Sequence, residues 1–172
     1  MSVSTYSLSI PVFLRGLAVL SAILAKAKIH ATENAIPLET LFNARLAPDM
    51  LTLAGQIQRV SDTSKNAVGR LTTITAAGFP DTEQSFEELE ERVHKTIAFL
   101  ETVTPQDMEG SGEREVAINL GKLKYTFTGT EYLLTFAIPN FFFHLTTAYD
   151  ILRNQGVPVG KIDYLGTSQA AA

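Results

Sequence analysis

The chain has no cysteine and only three histidines among its 172 residues. Without cysteine there is no disulfide, no zinc–thiolate site and no thiol nucleophile. That composition is compatible with the cytoplasm, which is the expected location. A basic cluster is missing as well. Fourteen Lys and Arg face 18 Asp and Glu, for a formal charge of −4. No stripe of positive charge is available to follow a phosphate backbone, so no nucleic-acid partner is expected. Familiar catalytic signatures are also absent. "GSGEREVAINLGK" lacks Walker-A spacing, and neither G-x-S-x-G nor H-E-x-x-H occurs. With three scattered histidines, any metal would need Asp, Asn or Gln to complete its coordination sphere.

What is present fits a globular domain. Apolar residues make up 45% and charged residues 19% of a length usual for one domain, here taken as 1–172. Residues 10–29, "IPVFLRGLAVLSAILAKAKI", are the longest apolar run. No Lys or Arg precedes it and Arg15 interrupts it, whereas a signal peptide puts its positive charge first and a span tolerates few charges. The run is read as a buried amphipathic helix, and no membrane partner is expected.

Periodicity divides the chain further. Pro11 suits a first helical turn, and Phe13, Leu17, Leu20, Leu24 and Ala27 recur at helical steps, predicting a helix over 11–31. "IPLETLF" (36–42) predicts a short helical turn. Pro48 is expected to open a second long helix bearing Leu53, Ile57, Val60, Ser64, Ala67 and Leu71 on one stripe. Residues 72–82 and 104–113 read as loops. Between them, Ser85 and Glu88 form a capping-box pattern ahead of Phe86, Leu89, Val93, Ile97 and Leu100. The period then falls to two. Val116, Ile118 and Leu120, then Leu123, Tyr125 and Phe127, flank the two-residue loop Gly121-Lys122. That loop places 120 opposite 123, 118 opposite 125 and 116 opposite 127, with all six apolar side chains on one face against the helices. Thr130 is expected to cap a last long helix running to about Asn154, with Pro139 bending or splitting it and Gly156 stopping it. The tail from Val157 shows no clear period and is expected to wrap the surface before fraying.

These elements predict an all-α four-helix bundle with one small β-hairpin inserted before the last helix. On the last helix His144 shares a face with Phe141, Ala148 and Ile151, so it points into the bundle or its edge, with Asn140 one turn before it. On the second long helix Asp49, Gln56 and Thr63, spaced by seven, form a polar line beside the apolar stripe. Bundle cores are where such groups build ligand and metal sites. A lone histidine on an apolar face is more often a satisfied core residue, and the three phenylalanines 141–143 more often core than cage. His30 and His94 fall at a helix end and a flank. Glu87, Glu88, Glu90 and Glu91 read as a solvated face.

Four stretches carry a family resemblance: "FNARLAPDMLTLAGQIQ" (42–58), "KTIAFL" (95–100), "IPNFFFHLTTAYDILRNQGV" (138–157) and "GKIDYLG" (160–166). Together they resemble a bacterial family of unknown function grouped with the DinB/YfiT-like proteins. The resemblance implies a four-helix bundle of up-down-down-up order, dimeric and cytoplasmic. It also implies a divalent metal held by three histidines, one on the second helix and an H-x-x-x-H pair on the last, with some members of the wider superfamily transferring or isomerising groups with low-molecular-weight thiols. Here His144 takes the second position of that pair and Asn140 the first. No histidine stands on the second long helix, where Gln56 is the nearest inward polar residue. Amides bind zinc or nickel poorly beside imidazole, so no cofactor is assigned and a metal rests on resemblance alone.

The expectation is a pocket formed by His144, Asn140, Gln56 and Asp49, degenerate as a metal site and binding a small polar ligand. Its alternatives are a metal-dependent enzyme of the thiol-transferase or hydrolase type, with a weakly held metal on His144 plus Asp49 or Gln56, and a structural homodimer in which His144 only packs.

Overall fold

The first helix starts earlier than its proline suggests. Ser4 caps it by accepting the Ser7 N–H at 3.1 Å, and α1 runs Thr5–Glu33 with Pro11 inside it. Pro11 removes the intrahelical partner of the Ser7 carbonyl, and Ser7 is exposed, where water can replace it. A computed structural model describes residues 3–76, 78–121 and 123–166. Among these, α1 is the one helix long and apolar enough to cross a membrane, and half of its most apolar window is buried inside the fold. Phe13, Leu17, Leu20, Ile23, Leu24 and Ala27 are all fully enclosed.

The short α2, Leu38–Asn43, falls where "IPLETLF" predicts it. The second long helix, α3 (Leu53–Leu71), does not open at Pro48. Thr52 is its cap, accepting the Gly55 N–H at 3.2 Å, while the Met50 N–H turns back to the Ala47 carbonyl. Pro48 therefore lies in a turn, and the chain becomes helical where a side chain first satisfies the free N–H groups. Helix α4 (Phe86–Glu101) is capped by Ser85, whose hydroxyl accepts the Glu88 N–H at 3.2 Å. The return bond of the predicted box is shifted, since Glu88 accepts from Gln84 instead.

The hairpin has the expected register. Strands β1 (Glu115–Leu120) and β2 (Leu123–Thr128) are antiparallel, with Val116 opposite Phe127, Ile118 opposite Tyr125 and Leu120 opposite Leu123. Val116 and Ile118 are buried and Phe127 is half-buried. Tyr125 departs from the expectation. It is 42% exposed although Ile118 opposite it is buried, and its ring stacks on Phe127 at 5.9 Å. Lys122 and the side chains of Leu120 and Leu123 lie outside the described residues.

Thr128, not Thr130, caps the last helical run. It accepts the Glu131 N–H, and Glu131 accepts the Thr128 N–H at 2.8 Å, a complete capping box. Helix α5 (Gly129–Tyr132) passes into a π-helical turn, Leu133–Ala137, and then into α6, Ile138–Asn154. The interruption directly precedes Pro139. With no N–H at 139, the ladder is re-registered there, and the Ile138 N–H bonds the Leu133 carbonyl five residues back. Past Gly156, Val157 and Val159 are buried and α7 (Lys161–Leu165) lies on α1, while residues 167–172 lie outside the described residues. Among the described residues the molecule is mostly helical with one two-stranded sheet. Helix α3 packs on both α4 and α6, and α1 packs on the same two.

Candidate functional site

The longest shared helix surface, between α3 and α6, is crossed by polar side chains. Gln56 on α3 is 1% exposed, and His144 Nδ1 lies 2.7 Å from its Oε1. Gln56 Nε2 donates to the Leu51 carbonyl at 3.2 Å, which fixes which end of the amide faces the imidazole. Oε1 is therefore the acceptor, and the hydrogen-bond pattern assigns the proton to Nδ1. Burial first, and then the nearby Arg59 charge, push the His144 pKa below its ordinary value. The ring is neutral near pH 7, and its lone pair sits on Nε2. Among the described residues, Arg92 Nε is the sole side-chain nitrogen or oxygen both sealed from solvent and without a partner, so His144 Nε2 reaches solvent.

Two turns along α3, Thr63 makes the second crossing. Asn140 Nδ2 donates to its hydroxyl at 2.8 Å, and that hydroxyl donates to the Arg59 carbonyl at 2.7 Å. The Asn140 Oδ1 is left as a second open acceptor, one turn from His144. Arg59 stands on α3 between Gln56 and Thr63 and pairs with Asp62 at 3.0 Å and with Asp81. The arrangement can accept hydrogen bonds from a ligand at His144 Nε2 and Asn140 Oδ1, beside a guanidinium. It fits a metal badly. One imidazole and one amide oxygen next to a positive charge are a weak, electrostatically opposed donor set for a divalent cation. No three His, Cys, Asp or Glu converge on a possible metal position among the described residues.

Asp49 does not join this group. It is exposed in the turn before Thr52, so the helical spacing of seven that linked it to Gln56 does not apply. Gln56 and Thr63 do lie together on α3, as the spacing predicts. Phe141 is core, Phe142 half-buried, and Phe143 is 57% exposed with its ring edge-on to His144 at 5.1 Å. His94 is exposed with Ser21 3.4 Å away, and His30 meets Asn34 at the end of α1.

Two features escaped the sequence reading. Arg59 is one. The other is Arg92 on α4, 2% exposed, whose guanidinium reaches Asp62 at 2.8 Å, Asp81 at 3.0 Å and Glu83 at 2.7 Å, with the Pro80 carbonyl at 3.1 Å. Lys65, also buried, pairs with Asp62 at 3.2 Å and lies 3.8 Å over the Phe79 ring. This cluster straps the 79–83 loop across α3 and α4, and Arg59, whose charge is felt at His144, pairs with two of its carboxylates. A signal existed: position 92 follows Leu89 by three and precedes Thr96 by four, inside the buried stripe.

The model of the Domain of unknown function (DUF1993) matches residues 5–165. The chain belongs to the DUF1993 family. That match takes in every helix from α1 to α7, and so the whole α3–α6 site. A DinB family member protein from Shewanella denitrificans, solved as a crystal structure, is 38% identical to this DUF1993 chain. It aligns over 97% of this chain and 94% of its own with a TM-score of 0.88. The DinB resemblance of the sequence is thereby shown. No match is found among curated proteins.

Proposed function

We propose that this DUF1993 chain is a DinB-like bundle of up-down-down-up order, one domain over 1–172, that binds a small polar ligand without a metal. The observation that carries the reading is the His144–Gln56 pair. It holds a neutral imidazole with Nε2 turned to solvent, beside Asn140 Oδ1 and the Arg59 guanidinium. A ligand with an N–H or O–H group and a polar tail meets acceptors and a donor there without displacing an internal bond.

Two measurements test it. Elemental analysis of protein purified without a metal-affinity tag should find far less than one metal per chain, unchanged in His144→Ala. Ring-nitrogen NMR should show His144 neutral at pH 7 with a pKa below that of a free histidine, and its Nε2 signal should move when amide, alcohol and amine fragments are titrated in. Stoichiometric metal that vanishes in His144→Ala would favour the enzyme alternative, a thiol transferase or hydrolase. An Nε2 signal that no fragment moves would leave His144 a packing residue.

The same reading makes the protein a cytoplasmic homodimer. Phe143 and Leu134, 57% and 51% exposed on the last helical run, supply apolar surface for a second copy. Light scattering at micromolar protein is expected to give twice the chain mass, and the monomer mass rejects the pairing.

A further inference from the structure

The C-terminal end of α3 carries a second cleft, separate from His144. Arg70 lies 14 residues beyond Gln56 on the same helix, a rise of about 21 Å at helical pitch. Asn66, Arg70, Thr73, Thr75, Ala76 and Arg114 help to line a cleft of about 530 Å³. Two of these residues are cationic and none is acidic. Several cations elsewhere are neutralised locally. Arg59, Lys65, Arg92, Lys26, Lys28 and Lys95 each meet a carboxylate. No carboxylate pairs with Arg70 or Arg114 among the described residues, in a chain whose net charge is −4.

Arg70 is also held in place. Its guanidinium donates to the Tyr132 hydroxyl at 3.1 Å and lies 5.7 Å from the centroid of that ring, which is completely enclosed. A guanidinium has five N–H donors, and this anchor occupies one. Around it, the Asn66 amide and the Thr73 and Thr75 hydroxyls have no partner among the described residues, whereas Thr72 is used up in bonds to Val68 and Ile74. The 72–76 loop is folded back closely on α3. A Cβ on Gly69 would lie 3.0 Å from that of Ala76. A pre-set guanidinium, a second one free to close, and unspent hydroxyl and amide donors match an oxyanion with several acceptor oxygens.

We propose that this cleft binds a phosphate-bearing small molecule, with Arg70 as the fixed fork and Arg114 as the closing one. A nucleic-acid backbone is the weaker occupant, because the acidic chain offers no basic track beyond these two residues.

The test uses the full chain with inorganic phosphate and pyrophosphate as probes, followed by calorimetry and thermal unfolding against sodium chloride of equal ionic strength. Saturable binding is expected, tighter for pyrophosphate, with a rise in Tm that chloride does not reproduce. Arg114→Gln, at an exposed position whose side chain makes no hydrogen bond or ion pair among the described residues, should weaken pyrophosphate by about tenfold or more while leaving the unliganded Tm unchanged. Arg45→Gln, on a different surface, should leave affinity unchanged. Three results overturn the proposal: no saturable binding by either probe, equal affinity in Arg114→Gln, or a single-stranded oligonucleotide binding more tightly than pyrophosphate through the same arginines.

Discussion

Replacing Arg92 by methionine should lower the unfolding free energy by about 3–5 kcal/mol, the usual result of removing one partner from a buried ionic group. Methionine keeps an unbranched apolar stem but is shorter and supplies no donor, so Glu83 loses its cation while Asp62 and Asp81 keep only Arg59 and Lys65. Lys95→Met removes the Lys95–Glu91 pair on the solvent side of the same helix, where both side chains are more than half exposed, and should change stability by less than about 0.5 kcal/mol. The two variants lie three residues apart and differ in burial and in the number of carboxylates served. Equal destabilisation in urea unfolding would sink the interpretation.

The pH dependence should change sign in the same variant. Burial alone pushes the Glu83 carboxyl upward, but hydrogen bonds from Arg92 and Gln58 overcome it and hold the group below its ordinary pKa. A depressed carboxylate contributes stability above its unfolded pKa and loses it as pH falls through the folded value, so this share of wild-type stability should decline from about pH 5 downward. Without Arg92 the burial effect prevails and the folded pKa rises above the unfolded one. Protonation then relieves an unfavourable charge, and the stability difference between wild type and Arg92→Met should narrow on acidification. A gap that stays constant from neutral to acid pH would show that Glu83 does not depend on Arg92.

The cluster also marks where sequence reasoning stopped. Hairpin register was legible because a side-chain period of two and a two-residue loop leave one pairing, and β1 and β2 adopt it. The inward aim of His144 was legible because its neighbours at three, four and seven residues are apolar and α6 is regular there. Its Gln56 partner followed from spacing on α3. Asp49 failed for a local reason: a proline can open a helix, yet Thr52 outcompeted Pro48 by satisfying a free N–H. Arg92 failed for a long-range one. Its partners lie 30, 11 and 9 residues away on a helix and an irregular loop, and no local period reports on ions brought together by the loop's path. Arg70 and Arg114 belong to the same class, since they lie 44 residues apart and only the path of the chain into β1 brings Arg114 to the end of α3.

Phe141→Ala should be about as costly as the loss of Arg92, at about 3–5 kcal/mol, because it empties a close-packed site without leaving a polar group to be hydrated. The ring is fully enclosed, 4.9 Å from Phe13 and 5.4 Å edge-on from Phe142. It also occupies the space that Gly16 leaves open on α1. A Cβ at position 16 would lie 2.4 Å from Cε1 and 2.7 Å from Cζ of Phe141. Glycine inside a helix is worse than alanine by about 1 kcal/mol, so Gly16→Ala would stabilise the protein if sterics allowed. In the wild type the overlap should win and make it destabilising by about 1–3 kcal/mol. In the Phe141→Ala background the ring is gone, the intrinsic helix preference is exposed, and the same substitution should become stabilising. A double-mutant cycle by urea unfolding reads this reversal directly, and additive effects at 16 and 141 would refute the close approach. The cycle bears on the functional site as well, since Phe141 is one turn before His144. Its ring sets how closely α6 lies on α1, and so it helps set where the imidazole meets Gln56. The His144 ring-nitrogen signals should therefore shift in Phe141→Ala and return part of the way when Gly16→Ala is added and its methyl group refills some of the gap.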